Sequence, residues 1–346
     1  CWADFAESVD RTAKALLELG VGAGDVVACI ATGRPEFLYT YVAATKIGAI
    51  WLGISPKLTP NELRYVIEHA RPKVVATLAR DNGKDVLSHI QRFEYEFPSI
   101  QEVLVIGDAP QGALPFSTCI DRPRTELDAE LAARVASLRP DAEALLMYTS
   151  GSTGRPKGVL QTHKAIMASA QTEMAYCDWT PDTRTLLHLP INHVAADVEL
   201  AATALCAGAT IVLMEYYHPK RTLEIIQRER ITLLGQLPVM YLKEMSVGGF
   251  ETTDWSSVRT MVWGGSAAPL RMMEVLGPIA RRHNIRMLTG YGSTELCGFV
   301  TYSAPDDDED LLLNTAGQVV PPFEMRIVDA ARRPLPPGEI GEVACR

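Results

Sequence analysis

Residues 148–159 read YTSGSTGRPKGV. Three glycines, four serines or threonines, one proline and two cations occupy ten of these twelve positions, so the stretch has little to bury. The apolar EALLMYT (143–149) before it predicts a strand, and HKAIMASA (163–170) after it predicts a helix. Glycines let a backbone turn several N–H groups toward one point, and such a nest binds anions. A following helix N-terminus would add to it. Thr149, Ser150, Ser152 and Thr153 supply hydroxyl donors, while Lys157 and Arg155 supply charge. The same composition also suits a solvated surface loop.

Established phosphate motifs do not fit. Walker A needs Gly-Lys five residues after its first glycine, but Pro156 follows Gly151 at that spacing and Val159 follows Gly154. The nearest dinucleotide fingerprint, GYGSTE (290–295), ends in glutamate, and no GxSxG elbow is present. Two other segments share the strand-then-glycine pattern: TMVWGGSAAPL (260–270) and MLTGYGSTE (287–295). Ligands of open α/β sheets bind at the carboxyl ends of strands. Three such ends with glycine or hydroxyl loops point to one shared site.

Apolar runs alternate with amphipathic segments along the rest of the chain. Strands are predicted at 26–30, 48–54, 73–78, 102–107, 143–149, 209–214, 232–237, 260–265 and 285–290. Helices are predicted at 4–19, 35–47, 60–70, 83–97, 162–176, 195–207, 220–230, 238–246 and 269–283. Strand runs apolar on both faces predict an α/β fold with parallel-rich sheets covered by helices. Residues 108–141 read as an irregular connector and 304–315 as an acidic loop. From about 321, short strands between Pro/Gly turns suggest the start of a small β-barrel-like subdomain. The expected organisation is one α/β subdomain with connector over 1–141, a second carrying the site over 142–320, and the β-subdomain over 321–346.

A length of 346 residues allows one large domain or two to three ordinary ones. A net charge of −9 argues against a protein that coats nucleic acid, which needs a basic face. Seven scattered cysteines without CxxC argue for a reducing, cytoplasmic compartment rather than a disulfide framework. No apolar run is long enough for a membrane helix. The chain opens in a helical pattern and stops in mid-strand, so a longer natural protein is expected.

Five segments together resemble the ordered motifs of the adenylate-forming superfamily, which includes acyl-CoA synthetases, peptide-synthetase adenylation domains and luciferases. They are YTSGSTGRPKGV, LPINHVAA (189–196), GGSAAP (264–269), GYGSTE (290–295), and GQVVPPFEMRIVD (317–329) running on to GEIGEV (338–343). They span nearly the whole chain in the family's order. The resemblance implies ATP, Mg²⁺, a carboxylic acid and, usually, coenzyme A. The acid attacks the α-phosphorus, giving an acyl-adenylate and pyrophosphate, and a thiol then displaces AMP.

It also implies roles for residues that match the motifs. Thr149, Ser150, Gly151, Ser152, Thr153, Gly154 and Lys157 would cradle the β- and γ-phosphates. Thr294 would donate to the α-phosphate, and Glu295 would ligate Mg²⁺. Gly264, Gly265, Ser266, Ala267 and Ala268 would lie along adenine, with Gly290, Tyr291, Gly292 and Ser293 completing that site and Tyr291 stacking on the ring. His193 would line the path of the acid and pantetheine. It need not be a base, because a carboxylate is already ionised at neutral pH.

The acyl pocket would be lined by His193, Ala195, Asp197, Gly235, Gln236, Val239 and Met240, with Gly264 and Gly290. Asp197 and Glu199 stand where many relatives are apolar. They could meet a polar substrate group, but the commoner expectation is that they face solvent or cap a helix. The cysteines, His188, Met272, Met273 and the run Asp306–Asp310 read as structural. The family's Gly-Asp segment, hinge and C-terminal small domain, with its lysine, have no counterpart here, so the chain is expected to be a large N-terminal domain with incomplete activity. A carboxylate–CoA ligase is the first reading, with a homodimer allowed. The second is an adenylation domain loading a non-amino acid onto a carrier protein, because the amine-binding FDxS-like segment reads NHVAADVE (192–199). The third is a non-catalytic nucleotide- or acyl-binding module.

Overall fold

The computed structural model describes residues 1–149 and 155–346. Its contacts divide the chain into two compact units. The first comprises 1–166, 188–197 and 213–216, and the second 167–187, 198–212 and 217–346.

The first unit is built on a seven-stranded sheet. Its order is Leu114–Pro115, Glu102–Ile106, Val74–Leu78, Val26–Ile30, Ile50–Ile54, Glu143–Thr149 and Lys157–Thr162. The central pairs are parallel, and only the last pair is antiparallel. Ile50–Ile54 and Val74–Leu78 are buried at every position. This explains why they are apolar without alternation: helices cover both faces. Ile30, Leu52, Ile54, Ile67, Val75 and Ile90 share one core cluster. Each such side chain removed from water contributes about 1.5–3 kcal/mol.

Helix Pro60–Ala70 shows how local sequence sets this unit. Thr59 caps it by accepting from the Glu62 N–H at 3.3 Å, while Glu62 accepts from the Thr59 N–H at 2.8 Å. Both sides of this capping box satisfy helix-end donors that would otherwise lack partners. Leu63, Val66 and Ile67 then face the core.

The second unit holds a five-stranded sheet in the order Thr210–Leu213, Arg184–Leu187, Leu233–Gln236, Thr260–Trp263 and Arg286–Thr289. The last four strands are parallel neighbours. Short antiparallel pairs follow, including Met325–Val328 with Glu342–Cys345.

Several elements differ from the sequence reading. Lys157–Thr162 is a strand, so the glycine-rich stretch connects two antiparallel strands instead of leading into helix His163–Tyr176. Its KGVLQT pattern is mostly exposed, as an edge strand tolerates. Arg184–Leu187 is a further strand, too short to stand out. Asp128–Ser137 in the expected connector is a helix. Within the expected acidic loop, Glu309–Asn314 is also helical, and Asp308 caps it by accepting from the Leu311 N–H at 2.9 Å. The acidic run therefore supplies a cap and a first turn favourable to the helix dipole.

Candidate active site

In the second unit, Thr260–Trp263 and Arg286–Thr289 run in register, so Trp263 and Thr289 end side by side. The chain leaving these ends lines a cavity of about 340 Å³. Gly265, Ser266, Ala267 and Ala268 form one wall, and Thr289, Gly290, Tyr291 and Gly292 form another. Leu312 to Ala316 form a third, which the sequence reading did not assign to the site. Its only signal was position, since the acidic run immediately before it masked a helix. Tyr291 lines the cavity and is 38% exposed. A second cavity, of about 490 Å³, lies at the amino ends of the strands, lined by Arg184, Arg228, Arg230 and Arg259.

Gly264, Ser293 and Thr294 border the first cavity's walls in sequence. A Cβ at Gly264 would overlap the ring of Phe299, and one at Gly290 would meet that ring at 2.9 Å. Phe299 itself is held by a short hairpin in which Gly292 pairs with Phe299 and Ser293 with Gly298. The Tyr291 N–H donates to Thr301 Oγ1 at 2.9 Å and fixes the other end. Glu295 lies on the short helical turn Thr294–Leu296 and is exposed. Among the described residues no group of three or more His, Cys, Asp or Glu side chains could hold a metal.

In the first unit, Thr149 and Lys157 are cross-strand partners flanking the glycine-rich connection. Ser150, Gly151, Ser152, Thr153 and Gly154 lie outside the described residues. Just beyond them the Tyr65 hydroxyl donates to the Pro156 carbonyl at 3.0 Å, and Arg155 sits 5.9 Å from the centre of the Tyr65 ring. The Tyr148 hydroxyl lies 2.6 Å from His69 Nδ1. Thus helix Pro60–Ala70 contacts both flanks of the connection.

His193 keeps an exposed edge, while the surrounding protein desolvates the ring and lowers its pKa. Its Nδ1 accepts from the Ala195 N–H at 3.1 Å, which assigns the neutral ring's proton to Nε2. Ala195–Ala202 is wound as a π-helix, a form frequent at functional sites. The expectation that Asp197 and Glu199 face solvent or cap a helix is overturned: Asp197 is 0% exposed and Glu199 8%. Among the described residues neither Asp197 oxygen has a hydrogen-bond partner. Burial raises its pKa well above the ordinary aspartate value.

Gly235, Gln236, Val239 and Met240 belong to the second unit. The Gln236 amide donates to Glu244 at 2.8 Å, Met240 is buried and Val239 is exposed. The cysteines are free thiols, and Met272 and Met273 are buried in the core.

The signature of the family described as "AMP-binding enzyme" matches residues 1–346. Indoleacetate–CoA ligase of Aromatoleum aromaticum is 28% identical over 350 residues, covering 100% of this chain and 64% of that protein. Feruloyl-CoA synthase of an Amycolatopsis species is 29% identical over 355 residues, covering 99% and 64%. The solved structure of the anthranilate CoA ligase AuaEII in complex with anthranoyl-AMP superposes with a TM-score of 0.87 at 24% identity, again over 99% and 64%. This last likeness is one of fold. The chain spans less than two thirds of the length of these relatives. Matched along its whole length and similar to CoA ligases, the chain belongs to the AMP-binding enzyme family.

Proposed function

We propose that this chain is the nucleotide- and acid-binding part of an ATP-dependent carboxylate–CoA ligase. A carboxylate oxygen attacks the α-phosphorus of ATP, the bond to the bridging oxygen breaks, and pyrophosphate leaves. The thiol of coenzyme A then attacks the acyl carbon and releases AMP. The observation that carries this reading is the cavity at the ends of Thr260–Trp263 and Arg286–Thr289. It has the position expected of an α/β ligand site and the size of a small-molecule pocket, about 300–1,000 Å³.

In this reading Gly265–Ala268 admit the flat adenine and Tyr291 stacks on it. Thr149, Lys157 and the residues between them bind the β- and γ-phosphates, offsetting charge that develops as pyrophosphate leaves. Thr294 donates to the α-phosphate. Glu295 is a hard oxygen donor of the kind magnesium takes, and a single carboxylate suits an ion that draws its remaining ligands from phosphate and water. Bound there, magnesium would neutralise phosphate charge. His193, through its Nε2–H, would orient the acid or thiol, with Ala195 and Asp197 close to it in sequence; in the second unit, Gly235, Gln236, Val239 and Met240 are the residues proposed to contact the acyl group. The named relatives act on indoleacetate and ferulate, so aromatic acids are the first class to test.

The test is Mg·ATP binding by calorimetry to the wild type and Glu295→Ala. Magnesium should strengthen ATP binding to the wild type and do so at least about tenfold less in the variant, a loss of about 1.4 kcal/mol. Equal magnesium dependence in both proteins would remove Glu295 from this role.

A further inference from the structure

The second unit buries two carboxyl groups that the nucleotide reading does not use. Glu173, on helix His163–Tyr176, is 2% exposed, and Glu199, on Ala195–Ala202, is 8% exposed. Both grip the segment that follows Glu295. The Tyr302 hydroxyl donates to Glu173 Oε2. Glu199 accepts from the Phe299 N–H. A Cβ at Gly298, where φ is +122°, would meet Ser169 Oγ at 2.7 Å and Glu199 Oε1 at 3.2 Å, so the carboxyl lies directly on this backbone. The next residue, Phe299, packs its ring on Gly264 and Gly290. Contacts therefore run from the two acids through Gly298–Tyr302 to the glycines beside the cavity of about 340 Å³.

Two carboxylates that interact out of water cannot both ionise cheaply. Burial raises both, and Glu173 raises Glu199 further. The donor groups of Tyr302, Cys177 and Trp179 favour the charged form of Glu173 and offset part of its desolvation, which remains the largest cause. Cys177, Cys297 and Tyr302 are pushed up by burial and stay neutral, and Arg286, which reaches Cys177, is paired with Asp178. We propose that Glu173 and Glu199 are positioning residues for the nucleotide site. Protonated in part, they clamp Gly298–Tyr302 and, through Phe299, set the spacing of the segments at Gly264 and Gly290. Ionisation of both carboxyls places two repelling charges under this segment and loosens it.

The inference rests on the nucleotide reading above. Its test is the affinity of an acyl-sulfamoyl-adenosine, a stable acyl-adenylate mimic, from neutral to alkaline pH. Glu199→Gln and Glu173→Gln are compared with the wild type, and thermal unfolding of each protein is followed at each pH. The sign follows from linkage: groups raised in the folded, clamped state favour it at low pH, and the advantage is lost as pH rises through their raised values. Wild-type affinity should fall on the alkaline side by up to about tenfold per pH unit for one proton. The Gln variants cannot make the charged pair, so their affinity should fall over that range by less than the wild type's. A fall identical in all three proteins would overturn the clamp while leaving the nucleotide site intact. No binding by the wild type at any pH would overturn the nucleotide reading and this inference together. Should one variant fail to fold, the other decides the same question.

Discussion

Glu244 sits on helix Pro238–Met245 with 0% exposure, and its carboxyl accepts from Gln236 and Tyr217. Desolvation outweighs those bonds and pushes its pKa from 4.5 up to about 8. Because the folded value lies above the unfolded one, stability is greatest below the ordinary carboxylate range and falls as pH rises from there to about 8. Glu244→Gln should flatten this slope, which is worth on the order of 5 kcal/mol in the limit. Denaturation midpoints measured across pH check this, and parallel curves for the two proteins would refute it. Gly264 makes a steric prediction. Since a Cβ would overlap Phe299, Gly264→Ala should cost about 1–3 kcal/mol through overpacking. The cost should shrink when Phe299→Ala is added, a coupling that a double-mutant cycle reads directly. At this scale the sequence revealed that room was needed at 264 and 290, but an absent side chain does not name the group that fills the gap. Phe299 carried no motif of its own.

Between elements, the best-read parts were those buried on both sides. Ile50–Ile54 is apolar throughout and Val74–Leu78 is apolar but for Thr77, and such short runs bounded by turns read as buried strands. Exposed or capped elements escaped. Lys157–Thr162 is an edge strand with mixed polarity, and Glu309–Asn314 opens on acids that read as loop until their capping role is seen. The edge strand matters for the site, because it sets Lys157 opposite Thr149. Lys157 is exposed, so Lys157→Ala should leave unfolding within about 0.5 kcal/mol of the wild type. It should nevertheless weaken Mg·ATP binding about tenfold, and unchanged affinity would separate Lys157 from the phosphates. Thr59→Ala removes one half of a capping box and should cost about 1 kcal/mol, read as a lower denaturation midpoint.

For the whole molecule, the order of strands, helices and glycine motifs carried the fold class, and a family signature spans the same 346 residues. The acid substrate was less legible, for a physical reason. The residues expected to line the acyl pocket come from segments distant in sequence, and a pocket's depth is a property of packing that no single segment encodes. Asp197 illustrates this: its type suggested a surface group, whereas it is fully buried and its pKa is raised. Among the described residues no helix is long and apolar enough to cross a membrane. The central claim is that the cavity bordered by Gly265–Ala268 and Tyr291 holds adenosine. The measurement that tests it most directly is calorimetric titration of wild type and Tyr291→Ala with an acyl-sulfamoyl-adenosine. Saturable one-to-one binding that weakens about tenfold or more on loss of the stacking ring is the predicted result. Binding of equal strength to both proteins, or no binding to the wild type, would contradict it.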